Sequence, residues 1–126
     1  MNQVTIENAP KTLKESLERA VVFLKLKPKG DSLYQNFDGN PCLIGSYFTP
    51  EQLKWIRMKN MNKEPITSLY CEVGEKNLTA MTSMTLDQCT VLQQLYDSGN
   101  GPLLQSAIST VLKGKKKTIE GISFRI

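Results

Sequence analysis

The sequence predicts an α+β domain in which about four helices pack on a small antiparallel sheet. Two observations point there. A Thr followed three residues later by Glu or Gln occurs at Thr12/Glu15, Thr49/Gln52 and Thr85/Gln88, each before apolar residues at helical spacing. This is the spacing of the capping box, in which the Thr hydroxyl and the N3 side chain satisfy each other's backbone amides. At the C-terminus the period changes to two, with Ile122, Phe124 and Ile126 alternating with Ser123 and Arg125, as in a half-buried strand.

The first helix is expected over 12–25, with Asn8 and Pro10 offering a rival start. Leu13, Leu17, Ala20, Val21 and Leu24 form its apolar stripe, and Lys14, Glu15, Glu18 and Arg19 fall between them. The run from Lys25 through Pro28 and Gly30 to Asp31 ends it. A second helix is expected over 50–60, with Pro50 at the favoured first position and Leu53 and Ile56 turned inward. A third, over 86–97, carries Leu86, Cys89, Leu92 and Tyr96 on one face and ends at Gly99. A fourth, over 102–112, carries Leu104, Ala107, Ile108, Val111 and Leu112 and closes at Gly114, making a helical hairpin with the third. The sheet is expected to combine the terminal strand with segments around 33–47 and 67–73. Val4 and Ile6 alternate with Thr5 and Glu7 as another short extended stretch.

The 126 residues fit one globular domain, 1–126, and 40% hydrophobic with 22% charged residues is an ordinary folded composition. The longest apolar stretches are a few residues, far from the ~20 of a membrane-spanning helix. No signal-type segment opens the sequence, so a cytoplasmic location is the expectation. Cys42, Cys71 and Cys89 are then read as reduced thiols.

Histidine is absent, which removes the commonest proton-transfer group and metal ligand near neutral pH. Three dispersed cysteines without histidine do not make a zinc site, so no metal and no cofactor are expected. Cys42 follows the Asp38-Gly39-Asn40-Pro41 turn, but Leu43, Ile44 and Gly45 after it read as buried strand, which makes a thiol inert. Glu72 and Glu75 flank Gly74 and read as solvated strand ends. With no phosphate loop, dinucleotide fingerprint or nucleophile elbow, no catalytic residue is assigned and a non-enzymatic protein is expected.

Two groups of residues suit binding. Lys54, Trp55, Arg57, Met58, Lys59 and Met61 place aromatic, thioether and cationic side chains on one short segment, the composition of contact hot spots. A helix of about eleven residues cannot bury Leu53, Trp55, Ile56, Met58 and Met61 on one stripe, so some must face solvent. The net charge of +4 draws on Lys54, Arg57, Lys59 and Lys63, and on Lys113, Lys115, Lys116 and Lys117 in the turn before the last strand. A nucleic-acid interface of Lys54, Arg57 and the four turn lysines, with Trp55 as a stacking platform, is the alternative. Capture of a small nucleotide or anion at a homo-oligomer interface also fits the charge.

The run Asn40-Pro41-Cys42-Leu43-Ile44-Gly45-Ser46-Tyr47-Phe48-Thr49-Pro50-Glu51, followed later by Leu92-Gln93-Gln94-Leu95-Tyr96-Asp97, resembles small proteins of bacteriophages and bacteria. Those carry a Cys-Ala-Ile-Gly segment before a short acidic helix start, then a helix with Leu-Gln and His-Asp; here Leu43 stands for the alanine and Tyr96 for the histidine. The resemblance implies a phage-type accessory factor acting in a bacterial host cell and assigns no activity or site. The expectation is a factor that binds and modulates, by inhibition, a bacterial protein.

Overall fold

A computed structural model describes residues 9–26, 34–36 and 39–126. Its elements run α1 (Leu13–Leu26), a 3₁₀ turn (Ile44–Tyr47), α2 (Pro50–Met58), α3 (Ile66–Val73), α4 (Glu75–Thr82), α5 (Leu86–Asp97), α6 (Gly101–Leu112), β1 (Lys117–Ile119) and β2 (Ile122–Phe124). Among the described residues helices dominate, and the sheet is one antiparallel hairpin pairing Lys117 with Phe124, Thr118 with Ser123 and Ile119 with Ile122. The class is therefore α+β in the broad sense, with six described helices rather than about four.

All three Thr starts act as helix caps. Thr49 and Gln52 make the full reciprocal box, the Gln52 amide donating to Thr49 Oγ1 at 3.2 Å and the Thr49 amide to Gln52 Oε1 at 2.7 Å. Thr85 and Gln88 repeat it at 3.1 Å in both directions. Thr12 Oγ1 accepts from the Glu15 amide at 3.1 Å, but the Glu15 carboxylate reaches back one residue further, accepting from the Lys11 amide at 3.4 Å.

Chain reversals use the left-handed conformation. After α5, Gly99 sits at φ +83°, its amide donates to Tyr96 O at 3.1 Å, and the Asn100 amide donates to Leu95 O at 2.9 Å, which is a Schellman closure. Asn60 does the same for α2 at φ +58°, with the Met61 amide donating to Ile56 O at 2.9 Å. This closure ends α2 at Met58, two residues before the expected boundary.

The sheet assignments at 33–47 and 67–73 are corrected. Of the first, the described part holds a lone antiparallel bridge between Gln35 and Pro41 and then the buried 3₁₀ turn. Leu33, Phe37 and Asp38 lie outside the described residues, as do Val4 to Glu7 and Asn8. The second segment is α3, where Ile66 and Leu69 are buried and Tyr70 and Val73 pack beside the core. That is a helical repeat, and Gly74 at φ +89° ends it before α4 begins at Glu75. Glu72 and Glu75 are consequently exposed helix residues, not strand ends. Lys117 opens β1 and does not belong to the turn.

The α5 helix is central. It packs against α3, α4, α6, β2 and the 3₁₀ turn, and its Tyr96 ring meets Phe23 of α1 with centroids 5.6 Å apart. The α1 helix packs along α6, and its Leu17, Ala20 and Leu24 are fully buried. Phe124, fully buried, brings the hairpin into the same cluster. Each such side chain contributes roughly 1.5–3 kcal/mol by leaving water.

Among the described residues three polar side chains are buried with this core, Ser16, Thr82 and Gln93, and each is bonded. Tyr47 donates its hydroxyl to Ser16 O at 2.6 Å and accepts from Ser16 Oγ at 3.2 Å. Thr82 Oγ1 donates to Leu78 O at 2.9 Å and accepts from the Met84 amide at 3.2 Å, closing the α4–α5 corner.

Candidate docking surface on the second helix

The α2 helix has the only described helical face that combines an exposed aromatic ring with cations. Leu53 and Ile56 are buried, so the opposite crest carries Lys54, Trp55 and Met58. Trp55 is 36% exposed and Met58 72% exposed. Arg57 and Lys59 flank the crest, both exposed, while Met61 is half-buried against the core and anchors the helix end. The crowding argued from the sequence thus resolves with Leu53 and Ile56 inside and two large apolar groups outside.

Lys59 is already engaged. Its Nζ lies 5.8 Å from the centroid of the Trp55 ring and 3.9 Å from Glu72 Oε1 on α3. Both ion-pair partners are about half exposed, so the pair adds at most about 1 kcal/mol, and an exposed cation over an indole adds roughly 0.5–1 kcal/mol. Together they set Lys59 between the Trp55 ring and the Glu72 carboxylate. Lys54 and Arg57 have no ion-pair partner among the described residues. The α2 helix has no extensive contact with any other described element, and it joins the core through buried Leu53 and Ile56.

The four lysines of the second basic group are exposed but lie on different elements. Lys113 caps α6, Lys115 and Lys116 connect, and Lys117 begins β1. The structure places no extensive contact between these elements and α2.

The thiols separate sharply. Cys42, two residues before the 3₁₀ turn, is 1% exposed, and burial pushes its thiol up to about 12. Cys89 is fully buried and pushed up to about 11 for the same reason. Cys71, on α3, is exposed. Around Cys42 the surroundings are a buried turn instead of the expected strand, and Cys42 Sγ donates to Gln93 Oε1 at 3.3 Å while accepting from the Gly45 amide at 3.3 Å.

Gln93 was not among the residues singled out for function, and it joins the two segments on which the phage-type resemblance rests. Its Oε1 accepts from the Ile44 amide at 2.9 Å, and its Nε2 donates to Asp97 Oδ1 at 2.6 Å. Gly45 completes the joint, because a Cβ there would lie 2.2 Å from the Tyr34 carbonyl oxygen. These residues pin the 3₁₀ turn to α5. Their signal in the sequence was a glutamine lying between Cys89, Leu92 and Tyr96 on an apolar stripe.

Among the described residues no group of three or more Cys, Asp or Glu side chains is placed to hold a metal ion, and no helix is long and apolar enough to cross a membrane. Comparisons of the chain with protein-family models, with curated proteins and with solved structures each found no match.

Proposed function

We propose that this chain is a non-enzymatic accessory factor of the phage type, working in the bacterial cytoplasm, that docks onto a host protein through the crest of α2 and inhibits it. The observation that carries this reading is the juxtaposition of exposed Trp55 and Met58 with Lys54 and Arg57 on a helix that the core does not need to cover. The cation of Lys59 over the indole favours the ring position seen here, and exposed tryptophan and arginine are among the side chains that dominate contact energy.

The test is capture of a partner from nuclease-treated bacterial lysate by the wild-type chain and by the Trp55→Ala, Arg57→Ala double variant. The reading requires a stoichiometric protein that the variant loses while keeping its thermal midpoint. Joint use of Lys54 and Arg57 with Lys113, Lys115, Lys116 and Lys117 as one phosphate grip has less support, since α2 makes no extensive contact with α6 or β1.

A further inference from the structure

The charge of this molecule is unevenly placed. Residues 113–126 carry five cations, Lys113, Lys115, Lys116, Lys117 and Arg125, against one carboxylate, Glu120. Their excess of four equals the net charge of the whole chain, +4, so the remaining residues balance.

The hairpin turns this excess into a surface. Ile119 and Phe124 point to the core and are buried, while Thr118 and Ser123, paired across the ladder, are exposed on the opposite face. The ladder ends at the Lys117–Phe124 pair, and the next residues outward on its two arms, Lys116 and Arg125, are both cations and both exposed. Five exposed cations, Lys113, Lys115, Lys116, Lys117 and Arg125, therefore lie on the α6–β1 connection and at the open end of the hairpin whose outer face carries the hydroxyls of Thr118 and Ser123, and none of the five is ion-paired among the described residues. Gln88 Nε2, donating to Ser123 O at 3.2 Å, ties the hairpin to the start of α5. Like charges gathered on one short segment repel one another, and a bound anion offsets that repulsion.

We propose that this outward hairpin face binds the sugar–phosphate backbone of duplex nucleic acid, independently of sequence and of the α2 crest. Arginine, lysine and hydroxyl side chains are the groups that contact phosphates and position a protein on a duplex. The face has no aromatic side chain on which an unpaired base could stack, which favours a duplex over a single strand.

The experiment is fluorescence anisotropy of the full chain with a labelled duplex of about 20 base pairs, titrated from 50 to 200 mM salt. For about four phosphate contacts, affinity falls roughly 100-fold over that range. The Lys116→Gln, Arg125→Gln variant is expected to weaken binding roughly tenfold or more at the lowest salt and to reduce the salt slope by about two. The Lys54→Gln, Arg57→Gln variant removes the same charge from α2 and is expected to bind nearly as wild type. Equal weakening by both variants would reduce the effect to net charge and overturn the proposal. So would absence of salt-dependent duplex binding, or binding to vesicles of anionic lipid in its place. All four substituted residues are exposed, and unchanged thermal midpoints establish that both variants fold.

Discussion

The side-chain oxygen of Gln93 accepts a hydrogen bond from the backbone amide of Ile44 at 2.9 Å, across 49 residues of sequence. Gln93 is 6% exposed and Ile44 fully buried, so neither group has water as a substitute. The same oxygen receives the Cys42 thiol, and the amide end of the side chain holds Asp97. One polar side chain in an apolar stripe thereby fixes how the turn before α2 meets α5.

Gln93→Ala is expected to destabilise the fold by about 2–4 kcal/mol, combining an orphaned Ile44 amide with a small cavity. Urea denaturation at neutral pH measures it. A loss below about 0.5 kcal/mol would mean that the Ile44 amide finds another partner.

Gly45→Ala tests the closeness of the same joint. Its methyl carbon would stand 2.2 Å from the Tyr34 carbonyl oxygen, which also accepts the Cys42 amide at 3.0 Å. The backbone must shift, and a loss above about 3 kcal/mol is expected. Gly39→Ala is the control, since nothing lies within 4 Å there and only its φ of +84° is unfavourable, at about 1 kcal/mol.

Alkaline pH should weaken the fold through its buried thiols. Folded Cys42 and Cys89 hold their protons to about 12 and about 11, against an ordinary value of 9.0, whereas the unfolded chain releases them from about that ordinary value upward. Their contribution is therefore complete below pH 9 and is lost as pH rises toward 12. Buried Tyr34 and Tyr47, also held protonated by burial, act in the same direction. Urea midpoints at pH 8 and pH 10.5 should show the drop, and Cys42→Ala should flatten it. Equal midpoints at the two pH values would contradict the burial of these groups.

Thiol labelling under native conditions is expected to modify Cys71 promptly and to leave Cys42 and Cys89 untouched until the chain unfolds. Mass spectrometry counts the adducts. Two or three adducts on the folded protein would be inconsistent with the packing of α5 against the 3₁₀ turn.

How much of this could be read from the residues varies by element. Thr85, Gln88 and Gly99 are sharp boundary signals, and α5 occupies the span they delimit, Leu86–Asp97. The α3 helix was missed because eight residues give only two turns of periodicity. Its Ile66, Thr67, Tyr70 and Val73 also have strand-like intrinsic preferences, and Pro65 gives no side-chain cap. Packing of Leu69 and Ile66 on α5 overrides those preferences. The α2 crest was legible because Leu53, Trp55, Ile56 and Met58 on a short helix cannot share one buried stripe. Gln93 was not, because a polar residue on a helix reads as surface until the amide it bonds, 49 residues away, is in view.

The measurement that reaches furthest is the paired capture from nuclease-treated bacterial lysate, with wild-type chain and the Trp55→Ala, Arg57→Ala variant matched for thermal midpoint. A stoichiometric protein retained by the wild type and lost by the variant is the expected result. Retention of the same protein by both, or a large fall in the variant's thermal midpoint, would contradict α2 as the docking surface.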